Sequence, residues 1–451
     1  MNRGDIIRVR IEKLAPDGTG CAVVERKMLS VKGALPGDEV DIRVLGVKRH
    51  YARVRLESVV TPGIERIPAE CPHFATCGGC LWQDVSYDIQ CSMKKELVLR
   101  TLNSMTGCEP CESVEFVPSP DVFFYRNKME FSFDSPPGSQ DSIKLGLHEA
   151  GKFDRVFDLT ACLLQSELSN RAVEVSRTFA VEKGLTVYGL KSHVGLLRFL
   201  AVRDAKNTGE LMINLVTSGD EFPCAADFTG RIVRDIPGVT TVVRSINRMK
   251  GNVAVGQERD ILYGDGFICE RIGGFTFALS PDSFFQTNIR QTENLYETVK
   301  QFSGLTGTEH LLDLYCGTGT IGIYLAEGTK SVTGVEMVES GIDDARRNAE
   351  LNGIGSITFV AGKVEKVIDE GMGRFDVVVC DPPRAGIHPK ALSQLVRMRI
   401  PRMVYVSCNI KAMPHDLETL ALAGYRIKKI RVFDMSPHTP HIETVVMMEI
   451  G

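Results

Sequence analysis

At 451 residues the chain exceeds what one hydrophobic core usually organises, so about two to three domains are expected. Its 43% hydrophobic and 24% charged content is that of a soluble globular protein. No apolar run nears the roughly 18 residues of a membrane helix, and the opening MNRGDIIRVRIEKL lacks the apolar stretch of a secretory leader, so a cytoplasmic protein with no membrane partner is expected. The net charge of −4 is uneven: residues 1–60 carry 12 Lys and Arg against eight Asp and Glu, leaving −8 for the remainder. A basic module on an acidic body is an electrostatic footprint for nucleic acid. Thirteen cysteines in such a chain point to metal binding or catalysis rather than to a disulfide framework.

Residues 4–59 read as about five short strands. Ile6 to Ile11, Val40 to Val44 and Arg53 to Leu56 alternate, and Asp17-Gly18-Thr19-Gly20 and Leu35-Pro36-Gly37-Asp38 are turns. That many strands in so short a length suggest a small closed barrel such as an oligonucleotide-binding fold. Arg8, Arg10, Lys48, Arg49, Arg53 and Arg55 should face outward together. The module resembles a TRAM domain, an RNA-binding barrel, above all in GALPGD from Gly33.

Cys71, Cys77 and Cys80 then place three thiols within ten residues of a Pro- and Gly-rich segment, with His73 among them. Such soft ligands suit zinc or an iron–sulfur centre. Cys162, Cys91, Cys108 and Cys111 compete for a fourth position. Met93, Leu97, Thr101, Leu102 and Met105 fall at helical spacing, predicting a helix near 91–106. Residues 115–280 read as β-rich, with Asp134–Ser142 as a loop or hairpin tip.

From about 284 onward strands and helices alternate. His310–Tyr315, Ser331–Glu336, Ile357–Val360, Phe375–Cys380 and Met403–Ser407 are the strand-like runs, and Val338–Asn352 is an amphipathic helix closed by Asn352-Gly353. This pattern predicts a doubly wound α/β domain. Gly317-Thr318-Gly319-Thr320 follows its first strand, where glycines let a nucleotide approach the backbone, and Glu336 ends the next strand, where a carboxylate accepts ribose hydroxyls. Asp381-Pro382-Pro383-Arg384 lies at another strand end, a ligand-binding position in open α/β sheets. Phe284-Phe285-Gln286 offers two aromatics and an amide to wall a cofactor. Cys408 follows a strand and can act as a nucleophilic thiolate, and Glu443 opens a late apolar run. A thiol, a carboxylate and an adenosine pocket together suggest carbon methylation of a pyrimidine.

These pieces resemble the RNA 5-methyluridine methyltransferase family, in its subgroup with a TRAM barrel and an iron–sulfur domain. The resemblance runs through CPHFATCGGCLWQ, YRNKMEF, SPDSFFQTN, DLYCGTGTIG, DARRNAELNGI, DPPRAG, VYVSCN and HIETVV. It implies a multidomain protein: a TRAM barrel over 1–60, a β-rich central iron–sulfur and RNA-binding domain over 61–280, and a Rossmann-like methyltransferase domain over 281–451. It implies a [4Fe–4S] cluster on Cys71, Cys77, Cys80 and Cys162. S-adenosyl-L-methionine would bind against Gln286, Tyr315, Gly317, Gly319, Thr320, Glu336 and Asp381, with Cys408 as nucleophile and Glu443 as base. The chain departs from the family pattern at Ile410, usually Pro, at Gly362-Lys363, where an acid is common, and at Thr320, where some relatives carry Asn.

The expected reaction is methylation of uridine carbon 5 in structured RNA. Large-subunit (23S) ribosomal RNA is the first expected substrate and transfer RNA the second, with a monomer as the favoured state. A radical methylthiolating enzyme would need Cys-x3-Cys-x2-Cys where this chain has x5 then x2. A non-catalytic RNA assembly factor has no reason to keep both Cys408 and Glu443, and DPPR with a terminal thiol argues against a dinucleotide dehydrogenase.

Overall fold

Alternating apolar and polar side chains build the first sheet. In the computed structural model, which describes residues 1–107, 111–135 and 142–451, this sheet comprises β1 (Ile6–Arg10), β2 (Lys13–Leu14), β3 (Gly20–Val24), β4 (Lys27–Val31), β5 (Glu39–Val47) and β6 (Tyr51–Thr61), in the order β1-β5-β6-β4-β3-β2. That is one strand more than expected, because Lys13–Leu14 pairs briefly with β3. Ile11, Leu29, Val31, Val40 and Ile42 fill the inside. The six expected basic residues are all exposed, but Arg8 is bound to Asp41 and Arg55 to Glu57. The GALPGD turn closes on the fully buried Asp38, whose carboxylate accepts Leu35 N, Gly63 N and the Arg66 guanidinium.

The cysteine segment has no regular structure. It leads into α1 (Tyr87–Asn103), which begins four residues before the expected start near 91. Gln90 and Lys94 lie on the buried side of α1, so its first turns carry polar residues where an apolar stripe would have marked them. Leu97, Val98 and Leu102 pack with Leu312, Leu314 and Tyr405, which attaches α1 to the C-terminal core. β7 (Glu115–Val117) joins the C-terminal sheet as an edge strand, parallel to residues 431–433. Cys108 and most of the Asp134–Ser142 loop lie outside the described residues.

The central region comprises β8 (Lys128–Asp134), β9 (Lys144–Gly146), α2 (Glu167–Glu182), β10 (Leu197–Asp204), β11 (Leu211–Thr217), α3 (Ala225–Asp235), β12 (Val239–Ile246) and β13 (Glu258–Tyr263). Its sheet has the order β13-β12-β11-β10-β8-β9. The β-rich expectation missed the two helices. β11 and β12 are parallel, a pairing that needs a crossover, and α3 supplies it. Phe179 of α2 meets Phe228 of α3 edge to face, and β10 and β11 are buried along their whole length.

The remainder comprises β14 (Ile268–Ile272), β15 (Phe275–Leu279), α4 (Ile289–Ser303), β16 (His310–Leu314), α5 (Thr320–Leu325), β17 (Ser331–Glu336), α6 (Glu339–Leu351), β18 (Ile357–Ala361), α7 (Val364–Val367), β19 (Val377–Cys380), α8 (Pro389–Met398), β20 (Arg402–Ser407), α9 (Met413–Leu422), β21 (Tyr425–Phe433) and β22 (Glu443–Ile450). Ile268, Ile272, Phe277 and Leu279 of the β14–β15 hairpin share a core with α4 and α5. The eight-stranded sheet runs β18-β17-β16-β19-β20-β22-β21-β7. β16 to β20 are parallel, while β22 is antiparallel to both β20 and β21. The chain winds from β16 outward to β18 and returns to β19 beside β16. That reversal opens a crevice at the carboxyl ends of the strands, where doubly wound sheets bind ligands. No helix among the described residues is long and apolar enough to cross a membrane.

Candidate active site

The loops after β16 and β19 flank the crevice. After β16, Tyr315, Gly317 and Gly319 all adopt positive φ, at +62°, +54° and +78°. A Cβ at Gly319 would come within 2.9 Å of the Phe359 ring and 3.0 Å of Ala345, so close packing and backbone conformation both select glycine there. Glu336, at the end of β17, accepts Gly317 N at 3.2 Å and Val338 N at 2.8 Å, fixing a carboxylate beside the glycine turn. Thr320 Oγ1 lies 2.7 Å from the Tyr296 hydroxyl. Beneath the loop, Asp313 Oδ2 accepts Gly322 N at 2.9 Å, Oδ1 is buried without a partner among the described residues, and burial pushes the carboxyl up to about 7. The Tyr315 hydroxyl is likewise buried, beside the His388 backbone.

Gln286 enters from the segment before α4. Its carbonyl accepts Asn127 Nδ2 at 2.9 Å, and the Thr287 carbonyl accepts Asn127 N at 2.9 Å. Asn288 caps α4 by accepting Gln291 N. The paired aromatics divide: Phe285 is core at 4% exposure, whereas Phe284 is 70% exposed. They therefore do not wall one site together.

Strand pairing brings the thiol and the carboxylate together. Ser407 of β20 is registered opposite Thr444 of antiparallel β22, which sets Cys408 against Glu443 at the same edge as Asp381. Burial pushes the Cys408 thiol up to about 11, with the Glu443 and Asp381 charges adding and the Arg384 guanidinium opposing. Glu443 is driven well above the usual carboxylate range by burial and by Asp381, again opposed by Arg384, and burial raises Asp381 to about 7. Strongly shifted titratable groups gathered in one cleft mark a candidate functional site, although the shift at Cys408 holds it as the thiol and not as the nucleophilic thiolate. Asn409 Nδ2 donates to the Arg384 carbonyl at 2.6 Å, tying the loop after β20 to the loop after β19. Ile410, in place of the family's proline, is buried beside Tyr405 and Met413 and anchors that loop by packing. Arg384 was legible only as part of DPPRAG. Asp313 was legible only as the first residue of DLYCGTGTIG, and Tyr296, whose hydroxyl reaches Thr320 from α4, carried no sequence signal of its own.

Of the competing cysteines, Cys162 lies with the N-terminal group. Cys77, Cys80 and Cys162 pack in one cluster, and Cys71, Cys77 and Cys162 each raise the Cys80 thiol, which burial chiefly pushes up to about 12. Gly79 N and Gln83 Nε2 donate to the Cys77 and Cys80 sulfurs at 3.3 Å. Cys91 instead sits beside Tyr87, Lys94 and Asp434, and Cys111 bonds to Ser113 O. The His73 ring accepts Thr160 N. Among the described residues no three His, Cys, Asp or Glu are arranged to hold a metal ion. The expected cluster site is thus a neighbourhood of thiols and not a formed ligand set.

The family model described as tRNA (Uracil-5-)-methyltransferase matches residues 271–450, and that of the TRAM domain matches 2–56. An uncharacterised RNA methyltransferase of Caldanaerobacter subterraneus is 37% identical over all of both chains, and one of Chlorobaculum tepidum is 37% identical over 99% of this chain and 97% of its own. The chain belongs to the RNA uracil-5-methyltransferase family. Its fold matches the crystal structure of Pyrococcus abyssi tRNA (uracil-54, C5)-methyltransferase in complex with S-adenosyl-L-homocysteine, with TM-score 0.78, 32% identity and coverage of 98% and 100% of the two chains. As an S-adenosylmethionine-dependent RNA methyltransferase, the protein joins an N-terminal TRAM domain to a Rossmann-like catalytic sheet, and the reversal at β16–β19 is the kind of crevice where open α/β sheets bind ligands.

Proposed function

We propose that this enzyme methylates carbon 5 of a uridine in structured RNA through a covalent adduct on Cys408. The observation that carries the reading is the β20–β22 register, which sets Cys408 opposite Glu443 beside Asp381. S-adenosylmethionine supplies the methyl group; Gln286, Tyr315, Gly317, Gly319, Thr320, Glu336 and Asp381 would hold it. The Cys408 thiol would lose its proton and the thiolate add to carbon 6, pushing the C5–C6 π electrons into an enolate at carbon 4; carbon 5 would then take the methyl, with S-adenosyl-L-homocysteine as the leaving group. Glu443 then removes the carbon-5 proton, and the electrons of that C–H bond expel the thiolate. A stacked uridine has both faces covered, so the target base would be unpaired or flipped out. Arg384 lies where it offsets negative charge on both reacting groups.

Large-subunit ribosomal RNA is the first proposed substrate. A transfer RNA is the second reading, favoured by the likeness to the Pyrococcus abyssi enzyme. Labelled S-adenosylmethionine with separate unmodified transcripts of the two RNAs, followed by digestion and mass spectrometry, distinguishes them: 5-methyluridine in one pool names the substrate, and its absence from both overturns the reading. Cys408→Ala should form neither product nor adduct while still binding RNA, and Glu443→Gln should accumulate adduct. A [4Fe–4S] cluster on Cys71, Cys77, Cys80 and Cys162 is proposed as a structural element only, supported by the proximity of the four thiols; no step of the reaction uses it. Iron and sulfide assays after anaerobic reconstitution, compared with Cys80→Ser, test it.

A further inference from the structure

The side chain of Glu443 does little to fix its own position: it is buried, and its Oε1 has no hydrogen-bond partner among the described residues. Its place is inherited from the backbone. Glu443 is the last paired residue of the β21–β22 hairpin, opposite Phe433, and the connection between them is residues 434–442. Hairpin loops are usually about two to five residues long, and a longer one needs external ties to hold its closing pair still.

α1 provides those ties. Lys94 Nζ donates to Asp434 Oδ1 at 2.6 Å and to the Ser436 carbonyl at 3.0 Å, with both charged side chains fully buried. One turn earlier, Gln90 Oε1 accepts His438 N at 2.9 Å while its Nε2 donates to the carbonyls of Trp82 and Val85. The His438 carbonyl in turn accepts Leu81 N and Trp82 N, at 2.8 and 3.1 Å. His438 stays in the left-handed region, φ +66°, with its ring stacked on Phe123. The first residue and the middle of the loop are thus pinned to two positions four apart on one helix face. A buried ion pair is a poor source of stability, because apolar side chains of the same volume serve as well; what it adds is a single geometry.

We propose that Gln90 and Lys94 are positioning residues for proton removal, acting on Glu443 through Asp434 and His438; this rests on the reading of Glu443 as the base. Lys94→Met leaves Asp434 buried without its partner, so the double variant Lys94→Met/Asp434→Asn, which removes both charges, is the informative one. Its melting temperature should return close to the parent's. Its kcat should stay roughly tenfold or more below the parent's, with S-adenosylmethionine affinity within about twofold and a methylated Cys408–RNA adduct accumulating as in Glu443→Gln. A double variant that regains full turnover together with its stability overturns the proposal, as does loss of turnover without adduct. If Glu443→Gln accumulates adduct and the double variant does not, only the positioning role falls. Normal turnover by Glu443→Gln removes the base assignment and the positioning role with it.

Discussion

The thiolate, not the thiol, is the nucleophile in cysteine chemistry, and a Cys408 thiol pushed up to about 11 is protonated at neutral pH. Burial is the largest cause and the Glu443 and Asp381 charges follow. Burial is built into the fold, whereas those charges can change when RNA and cofactor enter. In the free enzyme, iodoacetamide labelling of Cys408, followed by peptide-resolved mass spectrometry, should therefore be slow at neutral pH and rise toward pH 11 without levelling off near 9. Glu443→Gln removes a negative neighbour, which favours the thiolate, so its labelling profile should shift to lower pH. An unshifted profile would mean that the two groups do not share a field.

Among the elements, the turn between β16 and α5 is the most tightly determined part of the crevice. Gly319→Ala would impose a side chain at φ +78° and push its Cβ to 2.9 Å from the Phe359 ring. The expected outcome is a cost of about 1–2 kcal/mol or more in stability together with weaker S-adenosylmethionine binding, read by thermal melting and calorimetry; unchanged binding would place the cofactor elsewhere. This turn was legible in the sequence because its constraints are local: a strand, glycines at fixed offsets, then an acid at the next strand end. α1 was legible only in part. Its apolar residues from Met93 onward gave the helix, but Gln90 and Lys94 are buried polar residues, and periodicity reads such residues as facing solvent. α2 and α3 lie between strands of the central sheet and were missed inside a stretch read whole as β-rich. The pairing of β7 with β21, and of Cys408 with Glu443, depends on register between segments distant in the chain, which no local pattern records.

Across the whole molecule, the modules converge on the loops that carry the two proposed catalytic groups. The Asp17-Gly18 turn of the barrel reaches the C-terminal sheet: Asp17 lies 3.9 Å from Lys411, just past Cys408, and a Cβ on Gly18 would fall 2.8 Å from Pro440, just before Glu443. RNA bound to the barrel would therefore lie next to both loops, and the barrel's charge would then set how such binding responds to salt. Arg8 and Arg55 are paired with Asp41 and Glu57, whereas Arg10, Lys48, Arg49 and Arg53 are exposed and form no ion pair among the described residues. Each phosphate contact removed should lower the slope of log affinity against log salt by roughly 0.7–0.9. Replacing these four residues with Ala should therefore flatten the slope by roughly three and weaken RNA binding at low salt, with little change in S-adenosylmethionine affinity. Arg8→Ala should change the slope far less, because its charge is already neutralised by Asp41. Titrations of labelled RNA at several salt concentrations measure both, and an equal effect from Arg8→Ala would mean that net charge, rather than the unpaired residues of the barrel, governs binding.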